Sequence, residues 1–254
     1  MKQEKSPETT RKFSVTKYSK EGYKEEDVDV VAESSFQILI NDERVAAIML
    51  TPSHLEEFLI GFLVGQGIVK SIDDINNILI EPERGLLYAQ VKEPFQVDLT
   101  KSFVTSGCAG GVSFESFKGT DKVQKSKLPE FSLISDLMKK MISEGEIYPR
   151  SGGIHSAALA DDGGIIFQVE DIGRHNCIDK VIGYLVKNNI EPKGKMILTT
   201  GRLSLEAVPK IARAGINILG SRSTATDLAV EAAKRFGVTL LGYIRAGKVT
   251  VYNQ

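Results

Sequence analysis

Apolar and polar residues alternate in the first part of the chain that carries a regular pattern. The run "SSFQILINDERVAAIML" (residues 34–50) alternates on both sides of Asn41 and Asp42, which is typical of a β-hairpin. The next run, "TPSHLEEFLIGFLVGQGI" (residues 51–68), has apolar residues at helical spacing, with Thr51 as candidate cap, Pro52 in the first turn and glycines at its end. A strand pattern returns in "RGLLYAQVKE" (residues 84–93). We therefore expect a small α+β subdomain over residues 27–100.

The residues before this subdomain show no sustained period. Residues 1–26 are rich in Lys, Glu, Ser and Thr with scattered aromatic residues, and a short strand is possible only from Phe13 to Tyr18. This composition predicts a flexible tail over residues 1–26.

The pattern changes after residue 100. A helix is predicted in "FSLISDLMKKMISEG" (residues 131–145), and a hairpin turning at Asp161 to Gly164 in "HSAALADDGGIIFQVE" (residues 155–170). Three short apolar runs then alternate with helical patterns; the runs are "KMILTT" (195–200), "INILGS" (216–221) and "VTLLGYIR" (238–245). Such alternation predicts a mainly parallel sheet covered on both faces, with ligands at the carboxyl ends of its strands. Residues 101–254 are therefore predicted to form an α/β domain.

Composition narrows the class of protein. The 254 residues include 32 basic and 33 acidic side chains and only two cysteines. We expect no disulfide framework, and no general attraction to nucleic acid or to an anionic membrane, so a polyanion would need a local group of cations. The N-terminus carries no apolar signal sequence and no run approaches 18 uncharged apolar residues, so the sequence predicts a cytoplasmic protein without a membrane span.

Two short motifs imitate known sites without completing them. "GYIRAGK" (residues 242–248) has the spacing of a phosphate-binding Walker loop, but Val249 stands where Ser or Thr is needed and no helix can follow. His54 and Glu56 match the His-x-Glu of zinc deaminases, but the chain has no Pro-Cys-x-x-Cys pair. A solvated helix face is the better interpretation of His54 and Glu56, while Ser-His-Asp catalysis stays open on spacing alone.

A cluster of hydrogen-bonding residues follows the predicted hairpin. Arg174, His175 and Asn176 come directly after a glycine at a strand-to-helix turn, which favours recognition of a polar ligand. Asp179 and Lys180 are expected to form a surface ion pair. Cys177 is expected to be a packed residue, because it lies on the apolar face of the predicted helix.

Several of these segments together resemble the formate dehydrogenase accessory protein family, FdhD. The resemblance covers residues 33–254, and the segment "EDIGRHNCIDKVIG" (residues 170–183) is its most specific part. It implies a three-layer α/β/α domain like that of cytidine deaminase, without zinc, and a homodimer. It also implies a cytoplasmic sulfurtransferase. Such a protein takes sulfur as a persulfide from a cysteine desulfurase and passes it to the bis-molybdopterin guanine dinucleotide cofactor, with molybdenum or tungsten, before the cofactor enters formate dehydrogenase.

The resemblance also assigns the sulfur-carrying residue. Family members usually carry a Cys-Gly-x-Cys-Gly loop, and in "FVTSGCAGGVS" (residues 103–113) Cys108 falls on the first cysteine while Gly111 replaces the second. A loop disulfide therefore cannot expel the sulfur, and release is expected to depend on the acceptor or on an external thiol. The glycine-rich loop offers backbone N–H groups that would stabilise a thiolate.

The cofactor is expected to bind at the C-terminal segment that matches the family's. Arg245 and Lys248 would contact phosphate, Gly247 would let the backbone approach, and Tyr243 would stack on guanine; Ile244 and Ala246 complete this segment. Weaker candidates at predicted strand ends are Arg174, His175, Arg202 and Ser204, with Glu170 or Asp171 as acceptors for guanine. Guanosine diphosphate would mimic the cofactor.

Two further hypotheses stand beside sulfur transfer. One is a non-catalytic protein that holds the guanine dinucleotide cofactor for formate dehydrogenase, since the second loop cysteine is missing. The other is a deaminase-like hydrolase, which bound zinc would support.

Overall fold

The computed structural model describes residues 8–92, 119–124 and 126–253. Cys108 and its glycine-rich loop lie outside these described residues. The strands are β1 Thr10–Ser19, β2 Gly22–Val31, β3 Ser34–Ile40, β4 Glu43–Leu50, β5 Ile75–Glu81, β6 Leu86–Val91, β7 His155–Asp161, β8 Gly164–Asp171, β9 Met196–Thr199, β10 Ile218–Ser221, β11 Thr239–Arg245 and β12 Lys248–Asn253. The helices are α1 Leu55–Gln66, α2 Phe131–Ser143, α3 Tyr148–Ser151, α4 Arg174–Lys187, α5 Ala207–Arg213 and α6 Asp227–Phe236.

An antiparallel hairpin of β1 and β2 precedes the predicted subdomain. It is paired without interruption from Thr10 with Val31 to Ser19 with Gly22. The prediction of a flexible tail over residues 1–26 was therefore wrong for residues 10–26. The charged side chains that suggested disorder pair across the strands, as Lys17 does with Glu26, and the rings of Tyr18 and Tyr23 stack with centroids 4.5 Å apart.

The second sheet has the strand order β4-β3-β6-β5. Its inner face is buried under α1, and the predicted hairpin of β3 and β4 is confirmed. Helix α1 begins at Leu55 rather than at Pro52, because His54 has a left-handed backbone (φ 50°) and Thr51 lies outside the helix. The predicted end is confirmed, since Gly67 takes the left-handed conformation and its N–H bonds to Leu63 and Val64 carbonyls.

The third sheet is mixed, with the order β12-β11-β10-β9-β7-β8. Parallel pairing between neighbours is confined to β9, β10 and β11; β7 is antiparallel to β9, and the two ends of the sheet are the hairpins β7-β8 and β11-β12. The prediction of a mainly parallel sheet was therefore wrong. The alternating helices and strands indicated the three central strands correctly, but the hairpins add antiparallel neighbours on both sides.

Helices cover both faces of this sheet through two separate apolar clusters. On one face α2 packs with residues such as Ala158, Leu198 and Leu241. On the other face α4, α5 and α6 pack with residues such as Leu159 and Ile197, in a cluster that continues through α1 into the second sheet. The chain thus has a mixed α/β fold in which the second and third sheets share one apolar core.

Two glycines let α1 and α4 approach each other closely. A Cβ at residue 61 would lie 1.7 Å from the carbonyl oxygen of Asp179, and a Cβ at residue 183 would lie 1.7 Å from that of Glu57. Only glycine fits at such a backbone contact. This crossing fixes α4, whose first turn carries Arg174 and His175, against the body of the protein.

Candidate functional site

The candidate site lies at the carboxyl edge of the three parallel strands. Parallel neighbours end at the same edge, so the loops after β9, β10 and β11 meet there. A series of hydrogen bonds joins these loops: Ser221 Oγ donates to the Gly201 carbonyl (2.6 Å), Ser223 N–H to Ser221 Oγ (2.8 Å), and Tyr243 N–H to the Ser223 carbonyl (2.7 Å). Arg202 belongs to the first of these loops and Tyr243 to β11. The fold therefore brings several predicted site residues from distant parts of the chain to one edge.

Arg174 is the most informative residue of this edge. It is the first residue of α4, and its side chain passes over Gly201, where an added Cβ would lie 2.6 Å from Arg174 Cβ. Burial, followed by the charge of Arg202, lowers the pKa of the Arg174 guanidinium from its ordinary value. Its Nε is buried and has no hydrogen-bond partner among the described residues. A buried donor without an acceptor costs about 1–3 kcal/mol, so an acceptor from outside the described residues would stabilise Arg174 here.

His175 is buried beside Arg174 and faces the loop after β9. Its Nε2 lies 2.8 Å from Ser204 Oγ and 3.7 Å from Glu206 Oε2. Burial lowers the pKa of His175 to about 3, with smaller contributions from Lys210 and Arg174. The imidazole is therefore neutral at physiological pH and suits a role in holding Ser204 and the loop rather than in carrying charge.

His155 belongs to this edge, although the sequence analysis did not select it. It is the first residue of β7, and because β7 runs antiparallel to β9, this residue lies beside the carboxyl end of β9. Its Nδ1 is 3.5 Å from Thr200 Oγ1. Burial, followed by the charge of Arg174, lowers the pKa of His155 from its ordinary value. The sequence signal that could have identified His155 is its position at the start of a predicted strand, after two glycines.

Asp171 is a structural residue rather than a guanine acceptor. It is fully buried, and its carboxylate accepts hydrogen bonds from Thr51 N–H (3.1 Å), Gly173 N–H (2.8 Å), Asn176 Nδ2 (2.8 Å) and Lys180 Nζ (2.6 Å). Because both oxygens are occupied, the weak prediction that Asp171 binds guanine is wrong. Asp171 instead ties the loop before α1 to the first turn of α4.

Glu170 is also occupied by the protein itself. Its two carboxylate oxygens accept the N–H groups of Ile147 (2.6 Å) and Tyr148 (3.0 Å), at the start of α3. These bonds give Glu170 a structural role at the start of α3, and its place as a guanine acceptor stays a prediction.

Asp179 and Lys180 do not form the expected surface pair. Both are buried, and each has a different partner: Lys180 contacts Asp171, while Asp179 accepts from Lys210 Nζ at 2.7 Å and 2.5 Å. Adjacent residues of a helix point in different directions, so the two ion pairs face different neighbours. The prediction for Cys177 is confirmed: it is fully buried, and burial raises the pKa of its thiol well above the ordinary value.

The predicted C-terminal cofactor segment is the tip of the β11-β12 hairpin. Ala246 (φ 49°) and Gly247 (φ 70°) form the turn between Arg245 and Lys248, which face each other in register. These four residues are exposed, and the Arg245 guanidinium carbon lies 5.2 Å from the centre of the Tyr243 ring. The side chain of Ile244 is buried against α2, so only its backbone could meet a ligand. Because β12 follows Lys248, the rejection of a Walker loop is confirmed.

The described residues contain neither a cluster of metal ligands nor a membrane-spanning helix. No group of three or more His, Cys, Asp or Glu side chains in residues 8–92, 119–124 and 126–253 is arranged to hold a metal ion. Among the helices of those same ranges, none has the length and apolarity needed to cross a membrane.

Comparison with known proteins identifies the family. The FdhD/NarQ family model matches residues 31–254. The chain belongs to the FdhD/NarQ family. The match extends from the last residue of β2 through the second and third sheets to the C-terminus, and so includes every predicted site residue.

Individual relatives agree over nearly the whole chain. The sulfur carrier protein FdhD of Geobacillus kaustophilus (strain HTA426) is 33% identical, covering 94% of this chain and 93% of the relative. The protein of the same name from Bacillus subtilis (strain 168) is 31% identical, covering 88% of this chain and 87% of the relative. A crystal structure of a putative formate dehydrogenase accessory protein from Desulfotalea psychrophila is 28% identical and superposes with a TM-score of 0.82, over 97% of this chain and 98% of that one. A cyanophage dCMP deaminase aligns over 45% of this chain with a TM-score of only 0.36, so the deaminase-like architecture stays a prediction.

Proposed function

We propose that this FdhD/NarQ family member is a sulfur carrier for formate dehydrogenase and that Cys108 carries the sulfur. The relatives named above as sulfur carrier proteins support the general role. The chain has two cysteines, and Cys177 is buried with a raised thiol pKa, which makes it a poor nucleophile. Cys108, at the position of the family's first loop cysteine, is then the thiol available for transfer.

The proposed reaction has two steps that balance in atoms and electrons. The Cys108 thiolate attacks the outer sulfur of a persulfide on a cysteine desulfurase, and the desulfurase thiolate leaves, so that Cys108 becomes the persulfide. An external thiol then attacks the inner sulfur of that persulfide and releases sulfide. The external thiol supplies the two electrons and forms a disulfide with Cys108, which a second thiol reduces. This route needs no second loop cysteine, consistent with glycine at position 111.

The proposed sulfur acceptor is bis-molybdopterin guanine dinucleotide, bound as substrate at the carboxyl edge. The observation that carries this assignment is the buried, unpartnered Arg174 Nε, which, together with Arg202, offers cations for a pyrophosphate. Tyr243 is 39% exposed and offers a ring for stacking on guanine. At the hairpin tip, Arg245 and Lys248 add positive charge for the second phosphate-bearing half.

The finer features implied by the family resemblance belong to the same proposal. They are a three-layer deaminase-like architecture without zinc, a homodimer in the cytoplasm, and transient complexes with a cysteine desulfurase and the catalytic subunit of formate dehydrogenase. The helices on both faces of the third sheet support the proposed architecture.

Mass spectrometry of the intact protein tests the sulfur step. After incubation with a cysteine desulfurase and cysteine, we expect one added sulfur atom that dithiothreitol removes. Cys108→Ser should abolish the addition, and Cys177→Ser, the matched control, should leave it unchanged. Equal loading of wild type and Cys108→Ser would refute the relay. No loading, combined with nucleotide binding, would favour the non-catalytic cofactor-holding protein.

Calorimetric titration with guanosine diphosphate tests the acceptor site. We expect Arg174→Met and Arg202→Met each to weaken binding by a factor of about ten to a hundred, because each removes a charged hydrogen bond to phosphate. Arg245→Ala combined with Lys248→Ala should also weaken it, while persulfide loading continues. Lys193→Met, at an exposed lysine between α4 and β9, serves as control and should have no effect. Unchanged affinity in the arginine variants would exclude the carboxyl edge as the nucleotide site.

A further inference from the structure

Tyr243 has a backbone conformation that is unusual for an aromatic residue. Its φ is 51°, in the left-handed region that residues with a Cβ rarely adopt. A β-bulge lies at the same place, since the register of β11 against β12 shifts between Gly242 and Arg245. Bulges redirect side chains and are frequent beside functional sites. The direction of the Tyr243 ring therefore depends on this local conformation, which persists only where neighbouring groups hold it.

Two neighbouring groups hold the backbone at Tyr243. The Ser223 carbonyl, in the loop after β10, accepts the Tyr243 N–H at 2.7 Å. The ring of Tyr252, on β12, covers Gly242: a Cβ at residue 242 would lie 2.6 Å from Tyr252 Cε2 and 3.1 Å from the Tyr252 hydroxyl oxygen. Since only glycine fits under this ring, the ring fixes the backbone that leads into Tyr243.

The hydroxyl of Tyr252 contacts the loop after β10. Its oxygen lies 2.8 Å from Thr224 Oγ1 and accepts the Ala225 N–H at 3.4 Å. This loop is itself paired with the loop after β9, because the Leu203 N–H donates to the Thr224 carbonyl (2.9 Å) and Leu203 forms a parallel bridge with Ala225. Leu203 directly follows Arg202, so Tyr252 is tied to the loop that carries this proposed phosphate-binding residue.

We propose that Tyr252 is a positioning residue of the nucleotide site, which sets the Tyr243 ring at a fixed distance from Arg202. The inference rests on the proposed binding of a guanine nucleotide at the carboxyl edge. Tyr252 acts through its neighbours rather than by touching the ligand, because its ring packs against the apolar core shared by the second and third sheets and its hydroxyl is engaged with Thr224. A ring and a cation that are held in place lose less conformational freedom on binding than mobile ones do, and they therefore bind more tightly.

Calorimetric titration with guanosine diphosphate tests this role. Tyr252→Phe keeps the ring over Gly242 and removes only the hydroxyl, so we expect the affinity to fall by a factor of about three to ten while the circular dichroism spectrum stays that of wild type. Tyr184→Phe is the matched control: Tyr184 also packs partly buried against the same core, but it lies in the last turn of α4, where its ring stacks on Phe167, and this variant should bind like wild type. Equal affinity of Tyr252→Phe and wild type, or an equal loss in both variants, would overturn the proposal.

A double-mutant cycle tests whether the hydroxyl acts through Thr224. Thr224→Val alone should weaken binding about as much as Tyr252→Phe does. The two substitutions together should weaken it little further, because both remove the same hydrogen bond. Fully additive losses would contradict the proposed connection between β12 and the loop after β10.

Fluorine NMR gives a readout that a general loss of stability would not produce. The seven tyrosines can be labelled with 3-fluorotyrosine, and Tyr243→Phe identifies the Tyr243 resonance. In Tyr252→Phe this resonance should shift, and the change that guanosine diphosphate causes in it should become smaller; an unchanged resonance would overturn the proposal. A wild type that does not bind guanosine diphosphate would refute the proposed nucleotide site together with this inference. A wild type that binds, beside a Tyr252→Phe protein that binds equally well, would refute this inference alone.

Discussion

Replacing Gly183 by alanine should destabilise the protein strongly. The added methyl group would lie 1.7 Å from the Glu57 carbonyl oxygen of α1. To restore ordinary contact, α1 and α4 would have to move apart by roughly 1.7 Å, and the closely packed core between them would lose contact. Overpacking in cores costs about 1–3 kcal/mol and more when backbone must move. We therefore expect a loss of at least about 3 kcal/mol, a large part of the about 5–15 kcal/mol that holds a typical domain folded.

Urea unfolding followed by circular dichroism measures this loss, and two other glycines provide a graded comparison. At residue 65 the atoms nearest to a new Cβ would be side-chain atoms of Asp179 and Lys210, from 3.1 Å, so Gly65→Ala should have a smaller effect. At residue 163, in the β7-β8 turn, the one close atom is Asp161 Oδ1 at 3.1 Å, and Gly163→Ala should be nearly neutral. A Gly183→Ala protein that loses less than about 1 kcal/mol would refute the described helix contact.

Two further predictions concern buried ionisable groups near the site. Lys210→Met should cost about 3–5 kcal/mol of unfolding free energy, because it leaves the Asp179 carboxylate buried without its cation. Adding Asp179→Leu to this variant should recover most of the loss. Equal stability of the single and double variants in urea would contradict this. His175 has a folded pKa of about 3 against an ordinary value of 6.5, so the unfolded chain binds a proton at this residue at a higher pH than the folded protein does. The free energy of unfolding should therefore fall as the pH drops from 6.5 toward 3, by up to about 1.4 kcal/mol per pH unit. His175→Asn should reduce this slope in urea unfolding at several pH values, and an unchanged slope would assign the acid sensitivity to other groups.

The sequence predicted most elements of the second half because their patterns were local. Apolar runs such as residues 195–200 and 216–221 could be assigned as strands, and Gly67 as a helix end, from neighbouring residues alone. The β1-β2 hairpin was missed because its charged residues look disordered until cross-strand partners such as Lys17 and Glu26 are known. The mixed sheet was missed because strand direction depends on which strands become neighbours.

In the candidate site, too, features that depend on neighbouring residues could be predicted, and those that depend on long-range contacts could not. Arg174 and His175 could be selected from their position at a strand-to-helix turn, and the structure places them at the carboxyl edge as expected. The structural role of Asp171 could not be predicted from its neighbours. Two of its four hydrogen-bond donors are Thr51, 120 residues away, and Lys180, nine residues away, and the bond from Thr51 is known only from the folded chain. His155 was missed for a similar reason, since its place at the edge depends on the antiparallel pairing of β7 with β9.

The bond between Thr51 N–H and Asp171, 120 residues apart, has a consequence for synthesis on the ribosome. At about 5–20 residues per second, the segment around Thr51 leaves the ribosome roughly 6–24 seconds before Asp171 does. During that interval the apolar face of α1 has no α4 to cover it, and the cation of Lys180 has not yet been made. We expect nascent chains that end before Asp171 to bind chaperones that hold exposed apolar segments, and longer chains that include α4 and α5 to be released.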